Sequence, residues 1–200
     1  MKKRAVFIFA FIILAIFVSL YFDSEIVKGV SLIRNNFLND FFMGITFISF
    51  EIIVFSFLTL LFLWKKQKLV LPLWITLGLA VAVSFLLKVV IQRQRPFQLG
   101  LVSVLPVLEK ASHSIWNFSF PSFQTMLVFC AIPILSKQFS KLKYLWISFA
   151  VLVGFSRIYF GLHFMSDVIA GAAIGYFLGV IIIKFEEKYK FGEKIFVKLN

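Results

Sequence analysis

The chain is partitioned into long apolar runs, most of them near the roughly 20 residues that a helix needs to cross the hydrocarbon core of a bilayer. The runs fall at 5–22, 41–64, 69–91, 121–135, 144–160 and 164–183. Few folds accept such a pattern, because a backbone in lipid must satisfy its own hydrogen bonds, which leaves helices or a closed barrel. The runs lack the alternation of a barrel strand, so the expected class is all-α: a bundle of six transmembrane helices. Composition agrees, with 61% hydrophobic residues, 28 Phe and only 15% charged residues in a chain of 200. The mean hydropathy is +0.98. The first run follows Met1-Lys2-Lys3-Arg4 like a signal peptide, but no small-x-small cleavage site follows it, so it is expected to stay as a span.

The formal net charge of +12 would suggest a nucleic-acid partner in a soluble protein. Here the basic residues cluster between apolar runs, where they act as topology signals, and no nucleic-acid partner is expected. Fourteen of the 21 Lys and Arg residues fall at the termini and in the connections on the terminal side. Both termini are therefore expected in the cytoplasm, with the connections 23–40, 92–120 and 157–163 outside. Residues 1–200 form one expected membrane domain, in which 184–200 is a basic interfacial tail. Gly171, Gly175 and Gly179 make a small-residue stripe on the sixth run, expected to seat another helix closely. Pro133 is expected to kink the fourth run.

Three polar clusters end apolar runs, where ionisable side chains are costly. The first is Lys88-Val-Val-Ile-Gln-Arg-Gln-Arg95-Pro96, and its seven-residue spacing predicts Lys88 and Arg95 on one helical face. The second is Phe120-Pro121-Ser122-Phe123-Gln124-Thr125, where a proline opens a helix whose amides can receive an anion. The third is Ser156-Arg157 followed by His163 and Asp167, the last two placed four apart on one predicted helical face. Each residue alone has an ordinary reading, such as a snorkelling anchor or a hydrogen-bonded histidine. Together they describe one pocket with three cations, a helix N-terminus and a histidine beside a carboxylate. Such a set suits phosphoryl transfer with a histidine nucleophile. The two histidines, His113 and His163, and the single Cys130 offer no metal set, and neither metal nor cofactor is expected.

These motifs resemble the three-part signature of the type 2 phosphatidic acid phosphatase superfamily: Lys-x6-Arg-Pro, then Pro-Ser-x-x, then Ser-Arg-x5-His-x3-Asp. Its integral-membrane branch also has six spans, so the resemblance extends over essentially the whole chain. It implies a metal-independent lipid phosphatase of the bacterial cytoplasmic membrane, working at the extracytoplasmic face through a phosphohistidine. Lys88, Arg95, Arg157 and Ser122 would hold the phosphoryl oxygens, His163 would attack phosphorus, and Asp167 would orient it. The second block departs from the family's Pro-Ser-Gly-His, reading Pro121-Ser122-Phe123-Gln124. The resemblance assigns the missing histidine the role of general acid, whose loss typically costs about 100- to 10,000-fold.

Four readings follow. Gln124 hydrogen-bonds the leaving oxygen; His113 reaches in as a substitute acid; the leaving group needs little protonation; or the chain is slow or inactive. The third favours lipid diphosphates such as undecaprenyl diphosphate, with lipid A 1-phosphate and phosphatidylglycerol phosphate as other candidates. The alternative functions are a lipid phosphotransferase using the same intermediate and a catalytically impaired lipid-binding member. Glu51 stands in the middle of the second run, where a structural hydrogen bond to another polar group is expected to hold it.

Overall fold

The computed structural model describes residues 2–110 and 117–198. Among these residues it is all-helical, with α1 over Lys2–Leu32, α2 over Asn36–Ile48, α3 over Glu51–Lys65 and α4 over Val70–Ile91. The second half holds α5 over Pro106–Lys110, α6 over Phe123–Gln138, α7 over Leu142–Tyr159, α8 over Met165–Tyr189 and α9 over Phe191–Lys198.

Four helical stretches are long and apolar enough to cross a membrane: Ala10–Leu32, Gln67–Ile91, Leu142–Tyr159 and Met165–Tyr189. A fifth is reached if α2 and α3, bent by 58° at their junction, are taken as one. α6, at 16 residues, is shorter than these.

The first apolar run does not end at residue 22. α1 continues to Leu32, because Asp23 and Val27 are both buried against other parts of the chain. Asp23 meets Arg93 and Ser166, and Val27 packs with Ile158 and Phe164. The expected connection at 23–40 therefore shrinks to 33–35. The second run is broken at Ser49-Phe50, where Ser49 donates back to the Thr46 carbonyl. At the other end, α8 extends past the expected limit at 183, and a separate short helix, α9, follows it. There the Gly192 amide is bonded to Glu186 and Lys68 pairs with Glu193.

The glycine stripe does what its spacing suggests. A Cβ added to Gly171, Gly175 or Gly179 would stand 2.6, 2.2 or 2.3 Å from the carbonyl oxygens of Ser122, Met126 and Cys130. α6 thus lies against α8 backbone to backbone. Contact this close is the stable arrangement where lipid offers no hydrophobic drive between helices. Pro133 lies inside α6, its ring facing Gly179. Buried side chains of α3, α4, α6 and α7, among them Leu58, Leu77, Leu127 and Val153, complete the core around α6.

Candidate active site

Where α6, α7 and α8 meet the loop after α4, the chain gathers its buried polar residues. Lys88, Arg95, Ser119, Ser122, Thr125, Ser156, Arg157, His163, Ser166 and Asp167 are all buried. They adjoin a cavity of about 440 Å³, whose lining includes Thr46, Glu51, Lys88, Arg95, Gln124, Arg157 and His163.

The helix ends place these groups, although not quite by the faces that sequence spacing implies. α4 stops at Ile91 and Gln92 takes a left-handed conformation, φ 49°. Arg95 therefore lies beyond the helix and reaches the cavity by a reversal of the chain, not by sharing a face with Lys88. His163 likewise precedes α8, whose N-cap is Phe164. Gly161, at φ +69°, turns the chain there, and a Cβ at that position would come within 2.3 Å of Val102. The His163 amide then bonds to the Arg157 carbonyl at 3.2 Å.

The carboxylate of Asp167 reaches back to the Phe164 amide at 2.8 Å, closing the first turn of α8. His163 Nδ1 and Asp167 Oδ2 are 3.8 Å apart. That nitrogen is buried and has no hydrogen-bond partner among the described residues. His163 Nε2 lines up with Arg95 Nη1 at 3.4 Å. Burial, with Arg95 as the next contributor, pushes the His163 pKa down to about 3, so the imidazole is neutral at pH 7.

The cations fall into two kinds. Arg93 is neutralised: it contacts Asp23 and Asp167, each at 2.7 Å, and donates to Ser166 Oγ at 2.7 Å. Lys88 instead donates to the Phe118 carbonyl. Arg157 donates to Gln124 Oε1, Thr46 Oγ1 and Ser156 Oγ. Neither Lys88 nor Arg157 forms an ion pair among the described residues. Arg95 Nε and Nη1 bond to the carbonyls of Asn117 and Leu162 at 2.9 and 3.0 Å. Burial pushes the Arg95 pKa down to about 10, partly opposed by Asp167, which still leaves it charged at neutral pH. Lys88 and Arg157, buried cations bonded to neutral oxygens, keep their charge available to an anion.

Of the residues singled out in the sequence, Lys88, Arg95, Gln124, Arg157 and His163 line the cavity. Ser122 and Asp167 stand behind it. Ser122 Oγ shares a hydrogen bond of 2.9 Å with Thr125 Oγ1, and the Ser122 amide donates to the Asp167 carbonyl at 3.1 Å. His113 lies outside the described residues. Sequence reasoning missed Arg93, Asp23, Ser119 and Thr46. The Arg93 of Gln92-Arg-Gln-Arg95 passed as one more basic residue, and Asp23 sat at the end of an apolar run without a visible partner. Glu51 also differs from expectation. It opens α3 at the bend and lines the cavity, and no hydrogen bond or ion pair joins its side chain to any described residue.

An all-helical, membrane-type chain that converges three buried cations and a neutral histidine on one cavity is of the class that handles phosphoryl groups. Residues 69–191 match the PAP2 superfamily, and the chain belongs to that family. It is similar to phosphatidylglycerophosphatase B of Bacillus subtilis, 29% identical over 84% of this chain and 85% of the relative. Undecaprenyl-diphosphatase of Sulfolobus acidocaldarius is 26% identical over 88% of this chain and 87% of its own. Among solved structures, the transmembrane PAP2-type phosphatidylglycerolphosphate phosphatase from Bacillus subtilis superposes with a TM-score of 0.71 at 30% identity. That match covers 92% of this chain and 96% of the other. Aquifex aeolicus LpxE gives 0.65 at 29% identity, over 80% and 93%. With these relatives and its apolar helices, the chain is an integral membrane protein.

Proposed function

We propose that this protein is a lipid phosphatase that removes a phosphate or diphosphate head group through a phosphohistidine on His163. The observation that carries the reading is the cavity itself: Lys88, Arg95, Arg157 and an uncharged His163 imidazole all line one space of about 440 Å³. The cations would bind the non-bridging oxygens and stabilise the charge of the phosphoryl group in flight. His163 Nε2 would attack phosphorus with its lone pair once Arg95 Nη1, 3.4 Å from it, turns to the phosphoryl oxygens. Nδ1–H would then close the 3.8 Å gap to Asp167, whose charge offsets the developing imidazolium. Ser122 is assigned to the second rank, fixing the start of α6 against Asp167. With these cations in place, the reaction needs no metal.

The charge distribution supports cytoplasmic termini, a cavity at the extracytoplasmic face and residence in a bacterial cytoplasmic membrane. In this reading α2–α3 and α6 each count as a span, giving six in one domain of residues 1–200. Similarity to a phosphatidylglycerophosphatase, an undecaprenyl-diphosphatase and LpxE supports substrates of those classes: phosphatidylglycerol phosphate, undecaprenyl diphosphate and lipid A 1-phosphate.

The test is phosphate release by purified protein in detergent with chelator present. Undecaprenyl diphosphate, phosphatidic acid, phosphatidylglycerol phosphate and lipid A would be compared, each with a His163→Ala control. Chelator-resistant release that disappears in the control is expected. Release only with an added acceptor lipid would make the protein a transferase, and no release under either condition would overturn the reading.

A further inference from the structure

The site as described lacks a proton carrier. Gln124 occupies the position where the resemblance places a general acid, and its amide oxygen is engaged by Arg157. An amide cannot give up a proton at any accessible pH. His163 is committed as nucleophile, Asp167 receives three donors from Arg93, Ser119 and the Phe164 amide, and Lys88 and Arg157 are assigned above to the phosphoryl oxygens.

Among the described residues, one further ionisable group lines the cavity. Glu51 lies at the bend between α2 and α3, with Thr46 and Phe55 of the same wall also in the lining. It caps nothing across the chain and its side chain is bound to no described residue. A carboxyl group inside an apolar helix pair is costly, and here no structural bond offsets the cost. The cavity that it enters runs from Lys88 to Val81 along α4. Those residues are seven apart, or about 10 Å of helix axis. Glu51 and the cation cluster therefore share one space large enough for a phosphoryl group and the start of its leaving group.

We infer that Glu51 is the proton carrier of this site, taking the part that Gln124 cannot play. The inference rests on the phosphatase reading above. In the first step the His163 Nε2 lone pair forms a bond to phosphorus. The phosphorus–oxygen bond to the lipid breaks, its electron pair moves to the leaving oxygen, and that oxygen takes the Glu51 carboxyl proton. In the second step a water oxygen attacks phosphorus while the carboxylate of Glu51 takes a proton from that water. The phosphorus–nitrogen bond breaks, its pair returns to Nε2, and phosphate leaves with Glu51 protonated for the next turnover. With such a carrier the site can release an alkyl alcohol, so simple phosphomonoesters come within its range beside diphosphates.

The test compares leaving groups on the full-length protein in detergent. p-Nitrophenyl phosphate releases a stabilised phenolate and needs little protonation, whereas phosphatidic acid releases an alkyl alcohol. Glu51→Gln is expected to slow single-turnover phosphohistidine formation from phosphatidic acid about 100-fold or more and formation from p-nitrophenyl phosphate much less, with thermal unfolding showing that the variant is folded. Glu51→Asp is expected to keep part of the phosphatidic acid activity. Adding Gln124→His to Glu51→Gln is expected to restore it at least about tenfold, since a histidine there supplies the missing proton.

Equal losses on both substrates, or no loss on either, would overturn the assignment. So would failure of Gln124→His to restore activity, or loss of phosphatidic acid turnover in His113→Ala with Glu51→Gln unaffected. A wild-type protein that releases phosphate from neither substrate would instead overturn the phosphatase reading, and this one with it.

Discussion

Replacing Arg93 with alanine isolates the network that holds Asp167 in place. The guanidinium is the only described link between Asp23 on α1 and the Asp167 carboxylate on α8, with contacts of 2.7 Å to each. It also packs over the Phe164 ring at 4.1 Å. Both carboxylates are almost fully buried, whereas the Arg93 side chain is 23% exposed.

Removing a partner from a buried pair costs about 3–5 kcal/mol. Partial exposure of Arg93, and the donors that remain, place the expected loss at the lower end, about 3 kcal/mol. Asp167 would keep Ser119 and the Phe164 amide, and Asp23 would keep the Ser166 amide and hydroxyl. For a chain of this size that corresponds to a fall in Tm of roughly 6–12 °C.

The assay is thermal unfolding in detergent of wild type, Arg93→Ala, Asp23→Ala and the double variant. The second substitution should cost clearly less in the Arg93→Ala background than alone, because the pair is already broken. Under the phosphatase reading, kcat should fall in Arg93→Ala more than KM rises, since Arg93 acts through Asp167 and does not line the cavity. A Tm within about 2 °C of wild type, or strictly additive losses, would refute the idea that this network is a structural unit.

Other expectations follow from the same geometry. Gly175→Ala should lower Tm, through an overpacking cost of about 1–3 kcal/mol, while Gly78→Ala on α4, where an added Cβ meets nothing within 4 Å, should not lower it. His163→Asn should reduce phosphate release by at least about 1000-fold and abolish alkali-quenched labelling of the protein by a radiolabelled substrate. Phosphohistidine formation in a single turnover should show no loss assignable to His163 between pH 7 and 5. The free imidazole protonates near 6.5, but in the site it stays neutral until pH approaches about 3. The same shift makes the folded state lose stability as pH falls from about 6.5 toward 3, because only the unfolded chain takes up that proton. Chemical denaturation at pH 7 and pH 5, compared between wild type and His163→Gln, measures it.

Most of the helices were legible because lipid solvent forces apolar length and because the glycine stripe has a packing consequence. The limits were less legible. The end of α1 depends on Asp23 finding Arg93, seventy residues away, and no local pattern announces such a contact. The break between α2 and α3 carries no proline or glycine at Ser49-Phe50, so hydropathy alone runs straight through it. In the site, Lys88, Arg95, Arg157 and His163 were visible as charged groups where charge is expensive. Their true arrangement depends on a left-handed Gln92 and a turn at Gly161, not on helical periodicity. Arg93 and Arg95 look equivalent in sequence; the carboxylates of Asp23 and Asp167 are what mark the first as neutralised. Glu51 was conspicuous from the start, but its meaning depended on which space the bend turned it toward.

The close seat of α8 on α6 ties positions far from the chemistry to its accuracy. Gly171 meets the Ser122 carbonyl beside the cavity, and Gly179 meets the Cys130 carbonyl eight residues further along the same helix, about 12 Å away. The two helices act as a splint whose far end sets the angle of the near one. A methyl group wedged at Gly179 would work as a lever, opening the distance between Gln124 on one helix and His163 at the head of the other. Alignment at the cavity is therefore governed by contact deep in the apolar bundle, and the small residues of α8 position the site as well as hold the fold.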